Sequence, residues 1–304
     1  MAGGPVVITG ASGLVGRALA ARLQAEGRPL RLVSRAPARL ETSAGVEAFG
    51  WDGLTLETKA LEGAGTLVHL AGEPIFGGVP TRKRRERMWT SRIRSTKNLV
   101  EGLAALPASL RPGALVCASA VGYYGDRGEE ELPESAAPGD GFLADLCVAW
   151  EGEAAHAEEL GVRVACLRFG VVLSRRGGAL PLLALAFRLG LGGRIGRGRQ
   201  WFPWLHLDDA VALARRALDD AAVRGALNAV APHAVRNLEL TRTLASVLRR
   251  PALLPAPAFA VRLALRDLAV ELLGSRHVVP ARAESLGQRF VHPTLASALA
   301  AELT

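Results

Sequence analysis

The sequence PVVITGASGLVG, residues 5–16, decides the fold. Its first part, Pro5–Thr9, is short, apolar and β-branched, which is typical of a buried strand. Three glycines follow at three-residue spacing, Gly10, Gly13 and Gly16, and an amphipathic helical pattern comes directly after them. A strand, a glycine turn and a helix in this order present free backbone N–H groups and the positive end of a helix dipole to an anion. The stretch therefore predicts a dinucleotide phosphate site.

Strand and helix patterns alternate after this turn. The predicted strands are Pro5–Thr9, Leu30–Ser34, Val46–Trp51, Thr66–Ala71, Ala114–Ser119, Arg163–Gly170 and Ala226–Val230. Because these strands are apolar throughout and helical patterns separate them, we expect an α/β fold, a Rossmann-type doubly wound parallel sheet covered on both faces.

The character of the sequence changes after Leu173, where glycines become frequent, and again from about His233, where prolines interrupt helical patterns. We therefore predict two domains. Residues 1–232 form the Rossmann domain, with a substrate-loop insertion at about 174–206, and residues 233–304 form a smaller, mainly helical C-terminal cap.

Composition excludes several classes of protein. The chain has 304 residues and 49% apolar residues, which is too apolar for a disordered chain. Its three cysteines are odd in number and far apart, which excludes a disulfide framework, and the lack of a CxxC or CxxxH pairing argues against a structural zinc site. The longest apolar run, Ala179–Phe187, is too short to cross a bilayer, and no basic segment precedes the first apolar run. We expect no membrane partner, no metal and a reducing, cytoplasmic location.

The net charge of +8 comes almost entirely from arginine, since only three of the 37 basic residues are lysines. One basic cluster stands out, from Arg82 to Arg94. A nucleic-acid or cell-machinery partner is one interpretation of this cluster. The low aromatic content, 5%, and the lack of any nucleic-acid-binding motif favour a small anionic substrate over nucleic acid.

The end of the second strand distinguishes the two nicotinamide dinucleotides. NAD-binding proteins usually carry an acidic residue there, which binds the ribose 2′-hydroxyl. This chain has Ser34 and Arg35 instead, and its next acidic residue is Glu41. Because arginine pairs with a 2′-phosphate, the sequence favours NADP (NADPH) as the cofactor.

The chain resembles the extended, atypical short-chain dehydrogenases/reductases, in the NAD(P)-dependent epimerase/dehydratase-like family. The stretches that carry the resemblance include ITGASGLVG, HLAGEPI, SRIRST, SAVGYYGDRGEEELPE and GRQWFPWLHLDD, and ELLGSRHVVPARAESLGQRFVHPTLASAL resembles the C-terminal domain of unknown function of that family. The resemblance implies cofactor contacts at Gly10, Ser12, Gly13, Leu14, Val15, Gly16, Ser34, Arg35, Leu70, Ala71, Gly72, Glu73 and Arg92.

Catalysis in this superfamily normally depends on a serine and on a tyrosine followed four residues later by a lysine. That pair is absent, because the only tyrosines are Tyr123 and Tyr124, and the matching helix carries Phe142 and Leu146 at the two positions. Ser119 remains at the end of a strand. We predict that Ser119 orients the substrate and stabilises developing charge, and that Tyr124 donates a proton. The alternative is that Ser119 caps the strand end and both tyrosines pack in the loop wall.

The motif His206, Asp208, Asp209 has two interpretations. It has residue types that suit a metal or acid/base site, but acidic residues at a helix start usually cap the helix, which we favour. Two functions therefore stay open. The chain is an epimerase or oxidoreductase that transfers hydride at a carbonyl or hydroxyl carbon, or it is a non-catalytic protein that responds to NADP(H).

Overall fold

The computed structural model describes residues 3–75, 81–265 and 269–304. Its strands in chain order are β1 (Val6–Thr9), β2 (Leu30–Ser34), β3 (Val46–Gly50), β4 (Thr66–His69), β5 (Ala114–Ala120), β6 (Glu131–Leu132), β7 (Arg163–Phe169), β8 (Val171–Ser174), β9 (Gly177–Gly178), β10 (Trp201–Phe202), β11 (Trp204–His206), β12 (Gly225–Ala229), β13 (Val235–Arg236) and β14 (His277–Val278).

The helices in chain order are α1 (Leu14–Ala25), α2 (Arg82–Thr90), α3 (Ile93–Ala104), α4 (Phe142–Ala155), α5 (Leu180–Arg188), α6 (Leu207–Asp219), α7 (Asn237–Leu248), α8 (Ala258–Leu265), α9 (Val270–Leu273), α10 (Ala281–Ser285) and α11 (Leu295–Leu303). Within the described ranges, no helix is long and apolar enough to cross a membrane.

The main sheet has seven strands in the order β12-β7-β5-β4-β1-β2-β3, and every pair in it is parallel. The chain runs from β1 outward to β3 and then returns past β1 to β4, so the order reverses between β1 and β4. A crevice opens at such a reversal, at the carboxyl ends of the strands, and ligands of doubly wound proteins bind there. The predicted Rossmann-type sheet is confirmed.

The sheet is apolar on both faces because its strands alternate between two cores. Val6 and Ile8 belong to one core together with residues of α1, α6 and α7, whereas Val7 belongs to the opposite core with residues of α3 and α4. The mainly helical C-terminal region joins the first of these cores, since Leu295 and Leu299 of α11 belong to the same cluster as Val6.

The stretch after Leu173 differs from the loop that the sequence suggested. Leu180–Arg188 forms a helix, α5, with Leu180, Ala184 and Phe187 buried along one side. The glycines on either side of this segment obscured a short helical pattern, because glycine frequency dominates a sequence-based estimate of loop structure.

Candidate functional site

The glycine turn lies at the crevice between β1 and β4. Gly10 has a φ of +70°, and a Cβ there would lie 2.7 Å from the backbone of Leu70. A Cβ on Gly16 would lie 2.4 Å from the carbonyl oxygen of Gly10, so α1 packs closely on the turn. No side chain caps the N-terminus of α1, whose first residues Leu14 and Val15 are half-buried. The free N–H groups of this helix are therefore available to a phosphate.

The end of β2 supplies the next wall of the crevice. Ser34 is buried and its hydroxyl donates to Ser12 Oγ over 3.4 Å, which joins β2 to the glycine turn. Arg35 is exposed and its side chain makes no hydrogen bond or ion pair with the described residues. Arg39, in the short 3₁₀ turn Pro37–Arg39, is exposed and unpaired in the same way. Sequence analysis missed Arg39, although its place four residues after Arg35 was available as a signal.

The residues after β4 bring a buried cation to the crevice. Gly72 lies against Arg92, since a Cβ on Gly72 would be 3.2 Å from the guanidinium carbon. Arg92 is 8% exposed, stacks over Trp150 at 5.1 Å and donates to the carbonyl oxygen of Met88.

Arg92 has no ion pair with a described residue. Burial lowers its pKa, and the nearby Cys147 and Glu73 only partly oppose this effect. Glu73 itself lies 3.7 Å from Arg87, and its backbone N–H donates to Ser91. A buried guanidinium without a countercharge is costly, and an anionic ligand beside Gly72 and Ala71 would neutralise it.

Ser119, at the carboxyl end of β5, forms a buried polar network. Its hydroxyl donates to Glu151 Oε1 over 2.6 Å. The Glu151 carboxylate also accepts two hydrogen bonds from Arg168 of β7, each of 2.8 Å, and this pair raises the pKa of Arg168 above its ordinary value despite burial. The Ser119 proton therefore points into the protein, and only lone pairs remain for a bound molecule.

Tyr124 belongs to the same network but lies in the core. It is fully buried, its hydroxyl donates to Asn228 Oδ1 over 2.7 Å, and it accepts from Arg168 over 2.9 Å. Burial raises its pKa, and the nearby Arg168 opposes that effect. The structure thus does not bring the Tyr124 hydroxyl to a cleft. Tyr123 is half-buried, and the Arg168 guanidinium carbon lies 3.4 Å from the centroid of the Tyr123 ring. No local pattern distinguishes the two tyrosines.

Phe142 and Leu146 stand at the two positions that the resemblance assigns to the tyrosine and the lysine of the superfamily. Both side chains are apolar and at least half-buried. Phe142 is the first residue of α4 and lies half-buried, with the Arg85 guanidinium 5.9 Å from its ring. Leu146 is buried in the core. Leu143 and Cys147 contact Gly122 in the turn that follows Ser119, so α4 closes this side with apolar groups.

His69, at the end of β4, is a buried polar residue that sequence analysis did not single out. The Thr96 hydroxyl donates to the Arg92 carbonyl over 2.6 Å, so it accepts the Nε2–H of His69 at 3.0 Å. His69 Nδ1 then accepts from the Thr9 hydroxyl over 2.7 Å. Burial and the nearby Arg92 lower the pKa of His69 to about 3. A neutral histidine therefore ties β1 and β4 to α3 below the crevice.

The motif at His206 has a structural role, as favoured from the sequence, but the histidine and not an acidic residue caps the helix. His206 Nδ1 accepts the Asp208 N–H over 3.1 Å at the start of α6. Asp209 accepts the N–H groups of Val291 and His292 over 2.6 and 3.0 Å, which fastens the C-terminal region to α6. Ligand atoms of His206, Asp208 and His292 lie within 4.8 Å of one another, yet the Nδ1 lone pair of His206 already holds the helix cap. His292 lies far away in sequence, and no local pattern pointed to it.

Comparisons with known proteins cover almost the whole chain. Residues 6–229 match the NAD dependent epimerase/dehydratase family, and residues 256–302 match a domain of unknown function, DUF1731. The Arabidopsis thaliana epimerase family protein SDR39U1 homolog, chloroplastic, is 38% identical over 299 residues, which are 97% of this chain and 86% of that protein.

Two solved structures of epimerase proteins are also similar to this chain over almost its whole length. The crystal structure of human epimerase family protein SDR39U1 with NADPH has a TM-score of 0.86 and 33% identity, and the match covers 98% of each chain. The nucleoside-diphosphate sugar epimerase from Corynebacterium glutamicum has a TM-score of 0.80 and 39% identity, over 99% of this chain and 58% of that one.

Proposed function

Because the chain belongs to the NAD dependent epimerase/dehydratase family, as its motifs predicted, we propose that it binds NADP(H) and transfers hydride at a carbonyl or hydroxyl carbon of a small substrate. A single hydride transfer is an oxidoreductase reaction, and two successive transfers at one carbon are an isomerisation. Oxidation at one carbon followed by reduction from the opposite face would invert that carbon. The observation that carries the proposal is the set of unpaired arginines around the glycine turn.

Each part of the crevice suits one part of NADP(H). The free N–H groups at the start of α1 would bind the pyrophosphate, and the lack of a Cβ on Gly10 and Gly16 lets the turn pack closely against Leu70 and α1. Arg35 and Arg39 would pair with the 2′-phosphate, which is absent from NAD(H). Arg92 offers a buried cation that lies against the backbone of Gly72. The human relative, whose crystal structure contains NADPH, supports this assignment. The dinucleotide would supply a hydride donor or acceptor at its nicotinamide ring.

Ser119 would bind the reacting oxygen of the substrate as a hydrogen-bond acceptor. Its proton is committed to Glu151, and the ion pair with Arg168 keeps that carboxylate charged and fixed. A substrate hydroxyl can donate to the Ser119 oxygen. When that hydroxyl is oxidised, its proton would pass to Ser119 Oγ as the Ser119 proton passes to Glu151 Oε1, and both protons would return when the carbonyl is reduced. The geometry therefore favours an alcohol as the bound state. Tyr124 would hold Arg168 in place rather than donate a proton.

The rim of the site supports an anionic substrate. Arg82 and Lys83 are exposed on α2, and Arg85 of the same helix reaches the ring of Phe142. Positive charge next to the mouth of a cleft raises the local concentration of anions.

A non-catalytic NADP(H)-responsive protein is the second candidate. Phe142 and Leu146 supply no acid or base, and the protons of Ser119 and Tyr124 are both held by protein groups. Binding of the dinucleotide would then order the crevice without turnover.

Stereospecifically deuterated NADPH separates the two candidates. We expect the protein, incubated with fractionated metabolites, to transfer deuterium from one face of the nicotinamide into a small molecule. Ser119→Ala should abolish this transfer while NADPH binding is kept. Binding of NADPH without label transfer to any fraction would support the non-catalytic candidate instead.

We also propose a reducing, cytoplasmic location. The three cysteines, Cys117, Cys147 and Cys166, are buried free thiols. Burial raises the pKa of the Cys147 thiol to about 12, so it stays protonated and unreactive.

A further inference from the structure

Exposed apolar side chains are concentrated in two segments of the chain. Of the thirteen large apolar residues that are exposed in the described ranges, eight lie in residues 182–191 and 253–263. They are Leu182, Leu185, Leu189, Leu191, Leu253, Leu254, Phe259 and Leu263. Single exposed apolar residues are ordinary, but a concentration of this kind marks an interaction site.

Backbone contacts bring the two segments together. Ala256 N–H donates to the Arg194 carbonyl over 2.9 Å, and Gly196 N–H donates to the Ala256 carbonyl over 2.8 Å. Gly193 packs directly against the backbone of Leu254. The segments therefore form one continuous surface.

In each segment a helix, α5 or α8, presents apolar side chains to solvent on one of its sides. On α5, Leu182, Leu185 and the following Leu189 recur at helical spacing opposite the buried side of the helix. On α8, Phe259 and Leu263 lie one turn apart and are 73% and 81% exposed.

The charge of this surface has a single sign. Residues 180–199 and 249–265 contain seven arginines and no aspartate or glutamate, in a chain that has 29 acidic residues. All seven are exposed, and none pairs with an acidic group in the described parts of the chain. They are Arg188, Arg194, Arg197, Arg199, Arg249, Arg250 and Arg262.

We propose that these eight apolar residues and seven arginines form a docking surface for anionic phospholipid membranes. Apolar side chains that enter the boundary between headgroups and acyl chains, together with arginines that bind lipid phosphates, give peripheral membrane attachment. Such attachment needs only a surface and no spanning helix.

Charge complementarity favours lipid over a second copy of this chain. A symmetric contact would bring the same patch of both copies together, and the seven arginines of one copy would repel the seven of the other. An anionic bilayer neutralises them while it covers the leucines. The proposal goes beyond the proposed hydride transfer and does not depend on it.

Docking would bring the bilayer close to the crevice. The Leu273 side chain of α9 contacts Gly196 of the docking surface, and Glu271 of the same helix lies against Gly122, which follows Ser119. One short helix therefore separates lipid from the candidate substrate site.

Sedimentation with vesicles tests the proposal on the full chain. We expect little binding to phosphatidylcholine vesicles and strong binding when about a third of the lipid is phosphatidylglycerol, with loss of binding at high salt. Arg188→Gln with Arg194→Gln should lower the affinity about tenfold or more, and Phe259→Ser with Leu263→Ser should abolish binding.

Matched controls lie outside the surface. Leu54→Ser and Arg289→Gln alter an exposed leucine and an exposed arginine elsewhere, and both should bind vesicles like the unaltered protein. Equal effects of the control and surface variants, or binding that ignores lipid charge, would overturn the proposal. So would a stable dimer that does not bind vesicles and dissociates in the Phe259→Ser/Leu263→Ser variant, because the surface would then join two copies.

Discussion

Ser119 and Glu151 are joined by a hydrogen bond of 2.6 Å in which the serine donates its only hydroxyl proton. Glu151 in turn neutralises Arg168, which is 4% exposed. The catalytic candidate is therefore coupled to a buried ion pair that crosses from α4 to β7. Removal of the carboxylate charge would leave Arg168 buried without a countercharge.

We predict that Glu151→Gln lowers the free energy of unfolding by about 3–5 kcal/mol, as is typical when one partner of a buried pair is lost. Ser119→Ala removes one hydrogen bond and should cost about 1–3 kcal/mol. Urea unfolding measures both. Glu26→Gln, which breaks the exposed pairs of Glu26 with Arg22 and Arg215, is the control and should cost under about 1 kcal/mol. Equal losses in the three variants would contradict a buried network.

Arg92 should matter for the cofactor and not for folding. Arg92→Met removes a buried charge that has no ion pair with the described residues, so the apo protein should keep or raise its melting temperature. NADPH affinity should fall about 10- to 100-fold, because a charge-assisted contact is lost. Thermal unfolding with and without NADPH measures both effects. A variant that loses stability without cofactor would show that Arg92 is a structural residue instead.

Arg35 and Arg39 should select NADPH over NADH. We predict that Arg35→Gln weakens NADPH about tenfold and that the double variant with Arg39→Gln weakens it about 100-fold, while NADH binding stays nearly constant. Fluorescence titration with each dinucleotide measures the ratio. Arg289→Gln, at an exposed arginine elsewhere, serves as the control. An equal loss of affinity for both dinucleotides would show that the two arginines do not recognise the 2′-phosphate.

Gly16 should tolerate no side chain. A Cβ at this position would lie 2.4 Å from the Gly10 oxygen, so Gly16→Ala must shift α1 away from the turn. We expect a loss of about 2 kcal/mol or more in the free energy of unfolding and loss of the NADPH-induced rise in melting temperature. Gly152→Ala is the matched control within a helix. It has open space around it and should stabilise the protein by about 0.5–1 kcal/mol.

His69 should make stability depend on pH. Its pKa is about 3 in the folded protein and about 6.5 in the unfolded chain, so the unfolded chain binds the extra proton between these values. This contribution to stability is complete above about pH 6.5 and is lost as the pH falls toward 3, by up to about 1.4 kcal/mol per pH unit. Chemical unfolding across pH 4–7 measures the slope. His69→Gln should flatten it, and an unchanged slope would assign the effect to other groups.

Local patterns in the sequence predicted much of the fold, and they also supplied the candidate cofactor residues at the glycine turn and after β2. The strand β2 matches its prediction at both ends, and β1 differs by one residue, because apolar β-branched runs and glycine turns are short-range signals. The glycine turn and Arg35 were identified from short-range signals of the same kind.

The substrate side depends on contacts between residues that are distant in sequence. Ser119 and Glu151 are 32 residues apart, and the partner of Tyr124, Asn228, is 104 residues away. The helical and strand periodicities of the sequence carry no information on such distant pairs. Tyr123 and Tyr124 are adjacent, and which of them is buried depends on the 3₁₀ turn Val121–Tyr124, which the sequence does not specify.

The place of α11 in the core has a consequence for truncation. Leu295 and Leu299 belong to the same apolar cluster as Val6 and Ile8, and α11 packs against α7 and β8. Removal of α11 would expose the apolar side chains that it covers and leave a cavity in that shared core. The C-terminal region and the sheet should therefore unfold together rather than as separate units.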